Sequence, residues 1–353
     1  MERSMKARCP MVVEFCQQPT RAKQNAWQQV CQRTKGIFDF FSPRRRDVRV
    51  MKLYLIRHGE TVDNVAQVYA GVRDSPLTVQ GVLQAERLGR YLTASEQPIT
   101  HIFASDLQRA VKTAEALLSA QTNDHGSAPV TVRQLPILRE QDFGSYEGKP
   151  FYTRQRDSKK SGKDAHRSRH QDDPDFQDTE SKESMTTRTN AFVAEHLRPL
   201  LRRSLSEQHQ IVVIVSHGII LSHLWRSILA MFSKHTVSLA PGLSVGSGGI
   251  VPLEYLGSWS NTGYLELDIT YPIVNPHADL NSNDVAAVAS LKSSEKADQG
   301  DSITLPTTFK LLVRNVNGKE HLRGLKRARG VGSSQHDEGQ KKIETFFKKA
   351  KTG

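Results

Sequence analysis

The amino-acid sequence predicts an α/β protein: a doubly wound, mostly parallel sheet with helices on both faces, flanked by disordered basic tails. Three observations carry this expectation. From Met51 onward, short apolar runs alternate with segments of helical period. Residues 211–215 read Ile-Val-Val-Ile-Val, five β-branched side chains in a row, which suits a strand buried on both faces. The two ends of the chain hold the positive charge and show no sustained period.

The elements follow in order. Residues 52–56 read as the first strand. Residues 79–93 predict a helix with Val82, Ala85, Leu88 and Leu92 on one face and Thr78 as its N-cap. Residues 101–104 read as a strand and 106–120 as a helix striped by Ala110, Val111, Ala114, Leu117 and Leu118. Residues 130–132 are a short strand. Helices follow at 187–205, with Phe192, Val193, Leu197, Leu200 and Leu201 inward, and at 219–232. Residues 264–269 set Leu265, Leu267 and Ile269 against Glu266 and Asp268, which predicts an outer strand with one wet face. Residues 154–183 read as a polar surface insertion, 234–249 as a mobile Gly/Ser loop and 275–301 as a linker. Alternate apolar positions in 302–316 predict a strand or hairpin. The expected division is therefore a basic extension (1–50), a globular domain (51–274), the linker, and a basic C-terminal segment (302–353).

Composition bounds the rest. Of 353 residues 37% are hydrophobic and 24% charged, enough apolar material for one core but not for every residue. No apolar run reaches ten residues, which excludes a transmembrane helix, and the first residues lack a secretory pattern. Cys9, Cys16 and Cys31 all precede residue 50. The body thus has no disulfide framework, Cys-ligated zinc or Cys nucleophile, which suits a reducing, intracellular setting. The net charge of +12 divides into +7 over residues 1–50, +8 over 309–353 and −3 between them. Such tails point to nuclear import, nucleic acid or acidic partners, or are simply solvated ends.

Open α/β sheets bind ligands at the carboxyl ends of their strands. The expected strands are followed by Arg57-His58-Gly59-Glu60-Thr61, Ser105-Asp106-Leu107-Gln108-Arg109, Leu138-Arg139-Glu140-Gln141-Asp142-Phe143-Gly144 and Ser216-His217-Gly218. Four strand ends thereby deliver two arginines, two histidines and a glutamate toward one rim. Two guanidiniums suit a phosphoryl group, one imidazole can attack phosphorus, the second can donate to its oxygens, and the carboxyl can move the proton of the leaving group. Phosphoryl transfer mainly needs positioning and charge neutralisation, which this set supplies with no metal and no cofactor. Each residue alone has a structural reading, as a buried histidine or a surface ion pair. Their joint order carries the inference.

The string Leu55-Ile56-Arg57-His58-Gly59-Glu60-Thr61 with Asn64 resembles the signature of the histidine phosphatase superfamily, which has the phosphoglycerate mutase-like fold. The likeness continues through Ser75-Pro76-Leu77-Thr78 with Gly81, Ser105 to Ala110 with Thr113-Ala114, Leu138 to Gly144 with Glu147-Gly148, Glu183-Ser184 with Arg188, and Ser216-His217-Gly218. It implies His58 as the phosphorylated nucleophile, Glu140 as proton donor, and Arg57, Asn64, Arg109 and His217 as phosphate-binding groups. Ile219 stands where many members have a second glycine, and the polar 154–183 insertion lies where relatives build a lid. The expectation is a metal-independent phosphomonoesterase of the phosphatase branch. A catalytically weak phospho-ligand-binding adaptor and a phosphoglycerate-type mutase are the alternatives.

Near the C-terminus, Gln340-Lys341-Lys342-Ile343-Glu344-Thr345-Phe346-Phe347 resembles the PIP box that binds the sliding clamp PCNA. Ile343, Phe346 and Phe347 stand at i, i+3 and i+4, one apolar plug on a polar tail, with Gln340 at its edge. A short helix docking back on the enzyme is the plainer reading. Residues 34–41 echo the spacing with Thr34 in place of Gln. Arg44–Arg46, Lys326, Arg327 and Arg329 are candidate import or DNA-backbone contacts. The expected partners are a phosphorylated small molecule or phosphoprotein, the clamp, and DNA through the basic tails, with no membrane; the expected location is nucleus, cytoplasm or both.

Overall fold

The computed structural model describes residues 48–95, 98–121, 129–151, 173–203, 210–243, 253–272, 305, 307–327 and 330–337. The three cysteines, the basic extension up to residue 47, the 34–41 echo, Arg329, most of the 154–183 insertion, the linker and the 340–347 motif lie outside them.

Seven strands form one sheet. They are β1 (Val48–Arg57), β2 (His101–Ala104), β3 (Val132–Gln134), β4 (Gln210–Ser216), β5 (Val237–Leu239), β6 (Tyr264–Pro272) and β7 (Lys310–Gly318). Their spatial order is β3-β2-β4-β1-β6-β7-β5. Pairings β1·β4, β2·β4, β2·β3 and β5·β7 are parallel; β6 alone runs against its neighbours β1 and β7. The expected mostly parallel α/β architecture is therefore present.

Helices cover both faces because β1 and β4 are apolar on both. Tyr54 and Ile56 of β1, with Val213 and Val215 of β4, pack against Leu88 and Leu92 of α2 (Val79–Ser95) and Ala110, Ala114 and Leu117 of α3 (Gln108–Ser119). The alternate residues Leu53, Leu55, Val212 and Ile214 face Phe192 of α4 (Lys182–Phe192), Leu200 of α5 (Arg198–Arg203) and Leu224 and Trp225 of α6 (Gly218–Leu229). This is the period of two expected of a doubly covered strand. A short helix α1 (Val62–Ala66) follows β1 and is capped by Thr61. Thr78 caps α2 as expected, its Oγ1 accepting from Gly81 N at 3.0 Å. Gly59 and Gly81 let the loop after β1 lie against the start of α2; a Cβ on Gly59 would stand 2.6 Å from the Gly81 carbonyl oxygen.

Several expectations need correction. β1 begins at Val48, before Met51, because Arg49 and Val50 pair with Tyr271 and Thr270 of β6. The expected 130–132 strand is shifted to Val132–Gln134. The 187–205 helix starts at Lys182, capped by Ser181, and passes through a π turn at Val193–Leu197. Strand β6 is interior, not outer. Its charged face is matched across strands: Lys52 of β1 reaches Glu266 at 3.1 Å, and Arg314 of β7 pairs with Asp268. Cross-strand ion pairing thus reads, in sequence, like a wet face. The 234–249 stretch begins with ordered structure, a 3-10 turn at Lys234–Thr236 and edge strand β5. Finally, the sheet does not end at residue 274. Residues 310–318 supply β7, whose buried Leu311 and Val313 join the core, and Ser334 and His336 form backbone bonds with Val79 and Leu77.

Candidate active site

Parallel strands β1, β2 and β4 end on one rim, and the residues that follow them meet there. His58 and His217 are buried, with ring centroids 5.0 Å apart. Arg57, His58, Asn64, Arg109 and Glu140 line one cavity of ≈ 760 Å³, and the buried His217 packs against His58. All six residues singled out in the sequence for the phosphoryl site therefore converge.

The hydrogen bonds assign the tautomers. The Gly59 carbonyl only accepts, so His58 Nδ1 donates to it at 2.7 Å and Nε2 keeps its lone pair. Arg109 Nε only donates, so His217 Nδ1 accepts at 3.1 Å and the ring proton sits on Nε2. Among the described residues that Nε2 is buried and without a partner, as is Nε of Arg57. Arg109 is clamped further, its Nη1 and Nη2 donating to the Arg73 and Gly71 carbonyls at 2.6 Å each. Glu147 holds that loop by accepting from Val72 N and Arg73 N. Arg57 Nη1 donates to the Trp259 carbonyl at 2.6 Å.

Glu140 sits at the N-terminus of α6. Its Oε2 accepts from Ile219 N at 3.1 Å, and its Oε1 accepts from Ile220 N and Gln141 N at 3.0 Å each. A carboxylate suits that position, where helix N–H groups are unpaired and the dipole is positive. Ile219, which replaces the second glycine, thus contributes its backbone to the site while its side chain is part-exposed.

Burial, then the Arg109 and Arg57 charges, hold the His58 pKa well below the usual imidazole range; burial and Arg109 do the same to His217. Both rings are therefore neutral near pH 7. Arg109 is pushed by burial to about 10 and stays charged. The linkage has a definite sign. Unfolded histidines take protons below about pH 6.5 while these two do not, so stability is flat above that pH and falls below it, by about 1.4 kcal/mol per pH unit for each ring. Thermal unfolding scanned from pH 8 to 5 should show this fall. Phosphate or tungstate should lessen it by favouring protonation, and a level profile to pH 5 would contradict the buried neutral pair.

Other residues, not singled out as site residues from sequence, build the frame. Arg188 of α4 donates to the carbonyls of Ile137, Arg139 and Glu140 and forms a forked pair with Glu180, fixing the loop that carries Glu140. Asn261 Nδ2 reaches both the His58 carbonyl at 3.2 Å and Asn64 Oδ1 at 2.9 Å. Thr262 N donates to the Arg57 and His58 carbonyls. Thr262 holds φ +53°, a conformation that costs a β-branched residue about 1–3 kcal/mol and is retained only under such constraint. His321, in the 3-10 turn Glu320–Leu322, bonds Thr262 Oγ1 at 2.9 Å, and Arg327 pairs with Glu60, so that arginine is engaged by the signature loop.

A strand-end site of two imidazoles, two guanidiniums and a carboxyl group is that of a protein suited to hold an anion. The chain belongs to the histidine phosphatase superfamily (branch 1), whose family profile matches residues 53–245. It is similar, 29% identical over 299 residues, to a probable phosphatase of Schizosaccharomyces pombe, covering 84% of this chain and 79% of that protein. A probable phosphoglycerate mutase GpmB of Proteus mirabilis matches at 40% over 104 residues, 30% of this chain and 44% of the relative. Fructose-2,6-bisphosphatase TIGAR B of Danio rerio matches at 42% over 99 residues, 28% and 37% respectively. In those last two the chain spans less than half of the relative's length. A solved phosphoglycerate mutase of Bacillus anthracis aligns with TM-score 0.44 and 23% identity over 71% of this chain and all of that one. Family and relatives together support a phosphatase activity in general terms.

Proposed function

We propose that the protein is a metal-independent phosphomonoesterase that works through a phosphohistidine. The observation that carries this reading is a pair of buried donors, Arg57 Nε and His217 Nε2, that find no acceptor among the described residues, beside an imidazole whose Nε2 is unprotonated. Buried donors cost about 1–3 kcal/mol each when unpaired, and a phosphoryl oxygen would satisfy both. In the first step the ester enters as its monoanion and passes its proton to Glu140; His58 Nε2 then forms a bond to phosphorus, the bond to the leaving oxygen breaks, and Glu140 gives that oxygen the proton. In the second, Glu140 takes a proton from water, whose oxygen attacks phosphorus and releases His58 and inorganic phosphate. Arg57 and Arg109 offset the charge on the transferred group. Asn64, oriented through Oδ1 by Asn261 and Thr61, offers its amide hydrogens.

Purified protein with excess EDTA should release phosphate from a simple phosphomonoester at an undiminished rate. A coupled mutase assay with and without bisphosphoglycerate should show no phosphoryl transfer to a second substrate oxygen. Loss of turnover in EDTA would overturn the metal-free mechanism, and mutase activity would favour that alternative. Absence of any turnover would favour a phospho-ligand adaptor.

The 340–347 motif supports a second role, recruitment to a PCNA-type sliding clamp by Gln340, Ile343, Phe346 and Phe347, with a nuclear share of the protein and basic flanks near DNA. The motif lies outside the described residues and rests on its sequence spacing. Purified clamp should be retained by the full chain and lost by Phe346→Ala/Phe347→Ala. Equal retention by both would remove the proposal.

A further inference from the structure

The cavity holds more positive charge than one phosphoryl group needs. Its lining has four full cations, Arg57, Arg109, Lys182 and Arg226, against one carboxylate, Glu140. A phosphomonoester dianion bound at His58 would not neutralise that wall, and two of the cations belong to a different part of it. Ile219, Ser222, His223 and Arg226 all line the cavity, and their spacing of i, i+3, i+4, i+7 is one face of α6. The N-terminus of that helix is fixed to the catalytic end by Ile219 N on Glu140. Arg226 therefore stands two turns away, about 10 Å along the axis.

That outer end is built in place. Arg226 Nε donates to the Glu254 carbonyl at 3.4 Å and its guanidinium lies over the Tyr255 ring at 5.4 Å. Trp225 Nε1 donates to the Leu253 carbonyl at 2.6 Å, and Trp259 Nε1 to Ser222 Oγ at 3.0 Å. The 253–259 segment is thus stapled along α6, and the cation is held before any ligand arrives. His223 accepts or donates at Thr186 Oγ1, 3.1 Å away on α4, whose first residue is Lys182. Burial, then the charges of Arg226, Arg188 and Lys182, depress the His223 pKa, as expected where several cations face one point. Glu180, whose charge opposes those cations at His223, is engaged by Arg188 at 2.8 Å. Among the described residues no ion pair joins Lys182 or Arg226 to a carboxylate.

We propose that Lys182, His223 and Arg226 form a second anion subsite, so that the substrate is a phosphomonoester whose leaving group carries a further phosphate or carboxylate about 8–10 Å from the scissile phosphorus. The distance is the helix rise shortened by the backward tilt of helical side chains. The exposed faces of Ile219 and Tyr255 between the two ends suit an organic body with apolar surface. The inference rests on the phosphomonoesterase reading and names the class of substrate for that site.

The test is a ruler. Straight-chain alkanediol bisphosphates and ω-carboxyalkyl phosphates of increasing length are compared with alkyl monophosphates of the same length. In the wild type, kcat/KM should favour the doubly anionic ester by about tenfold or more when its charged groups stand about 8–10 Å apart, and less at shorter spans. In Lys182→Gln/Arg226→Gln that ratio should fall to within about threefold of one, while Arg90→Gln, far from the cavity, should keep it. Comparing the two series identifies whether phosphate or carboxylate is preferred. Turnover of all esters with no preference for the second charge overturns the subsite and leaves the phosphatase reading intact, as does a ratio unchanged in the double variant. No turnover on any ester overturns both.

Discussion

Replacing His58 with alanine is expected to lower kcat on phosphomonoesters by about 10³-fold or more, because the covalent route loses its nucleophile and no other unprotonated imidazole nitrogen takes its place. His217 cannot substitute. Its Nδ1 accepts from Arg109, and its Nε2 carries the proton. The protein should stay folded. His58 is buried between two guanidiniums whose charges oppose its protonation, and the strand before it is held on both sides by β4 and β6. Two measurements check this together. Quenched turnover should trap an acid-labile phosphoryl label in the wild type and none in His58→Ala, while the unfolding midpoints differ by only a few degrees. An undiminished label in the variant would move the nucleophile elsewhere.

Glu140→Gln is expected to lower kcat on alkyl phosphates by about 10²–10⁴-fold, with KM little changed, because the loss falls on proton transfer and not on binding. On p-nitrophenyl phosphate the first step should suffer far less, since nitrophenolate leaves without a proton. The contrast between leaving groups is the diagnostic, because a merely structural glutamate would depress both equally. A structural effect is expected as well. Glu140 accepts from three backbone N–H groups at the start of α6, and the glutamine amide can serve only through its one oxygen. A loss of about 1–2 kcal/mol of stability is anticipated.

Most of the candidate site was legible because parallel strands and their following loops are local in sequence. Each of Arg57, His58, Arg109 and His217 lies within a few residues of an apolar run that can only be a strand. What lay hidden comes from the opposite direction. β6 is antiparallel, so its beginning, not its end, reaches the functional rim, and Trp259, Asn261 and Thr262 precede it. A search of residues that follow strands passes over them. Arg188 stood within the quoted family pattern, but its use, gathering three carbonyls of the Glu140 loop, depends on how α4 packs and leaves no local mark. The alternation in β6 gave the correct inward residues and the wrong position, because paired charges inside a sheet have the same period as charges facing water.

The placement of β7 has a consequence for the integrity of the chain. A protein cut after residue 274 would retain all six residues of the candidate site, yet β6 would become a rim strand with unsatisfied N–H and C=O groups along its length. Leu311, Val313 and Phe309 would also be withdrawn from the hydrophobic interior, and Thr262 would lose the imidazole that braces it. Such a fragment would be sticky and short-lived although its candidate site is whole. Late-made sequence is therefore a keystone: until residues 310–321 are in place, β6 lacks its outer neighbour and Thr262 lacks its brace.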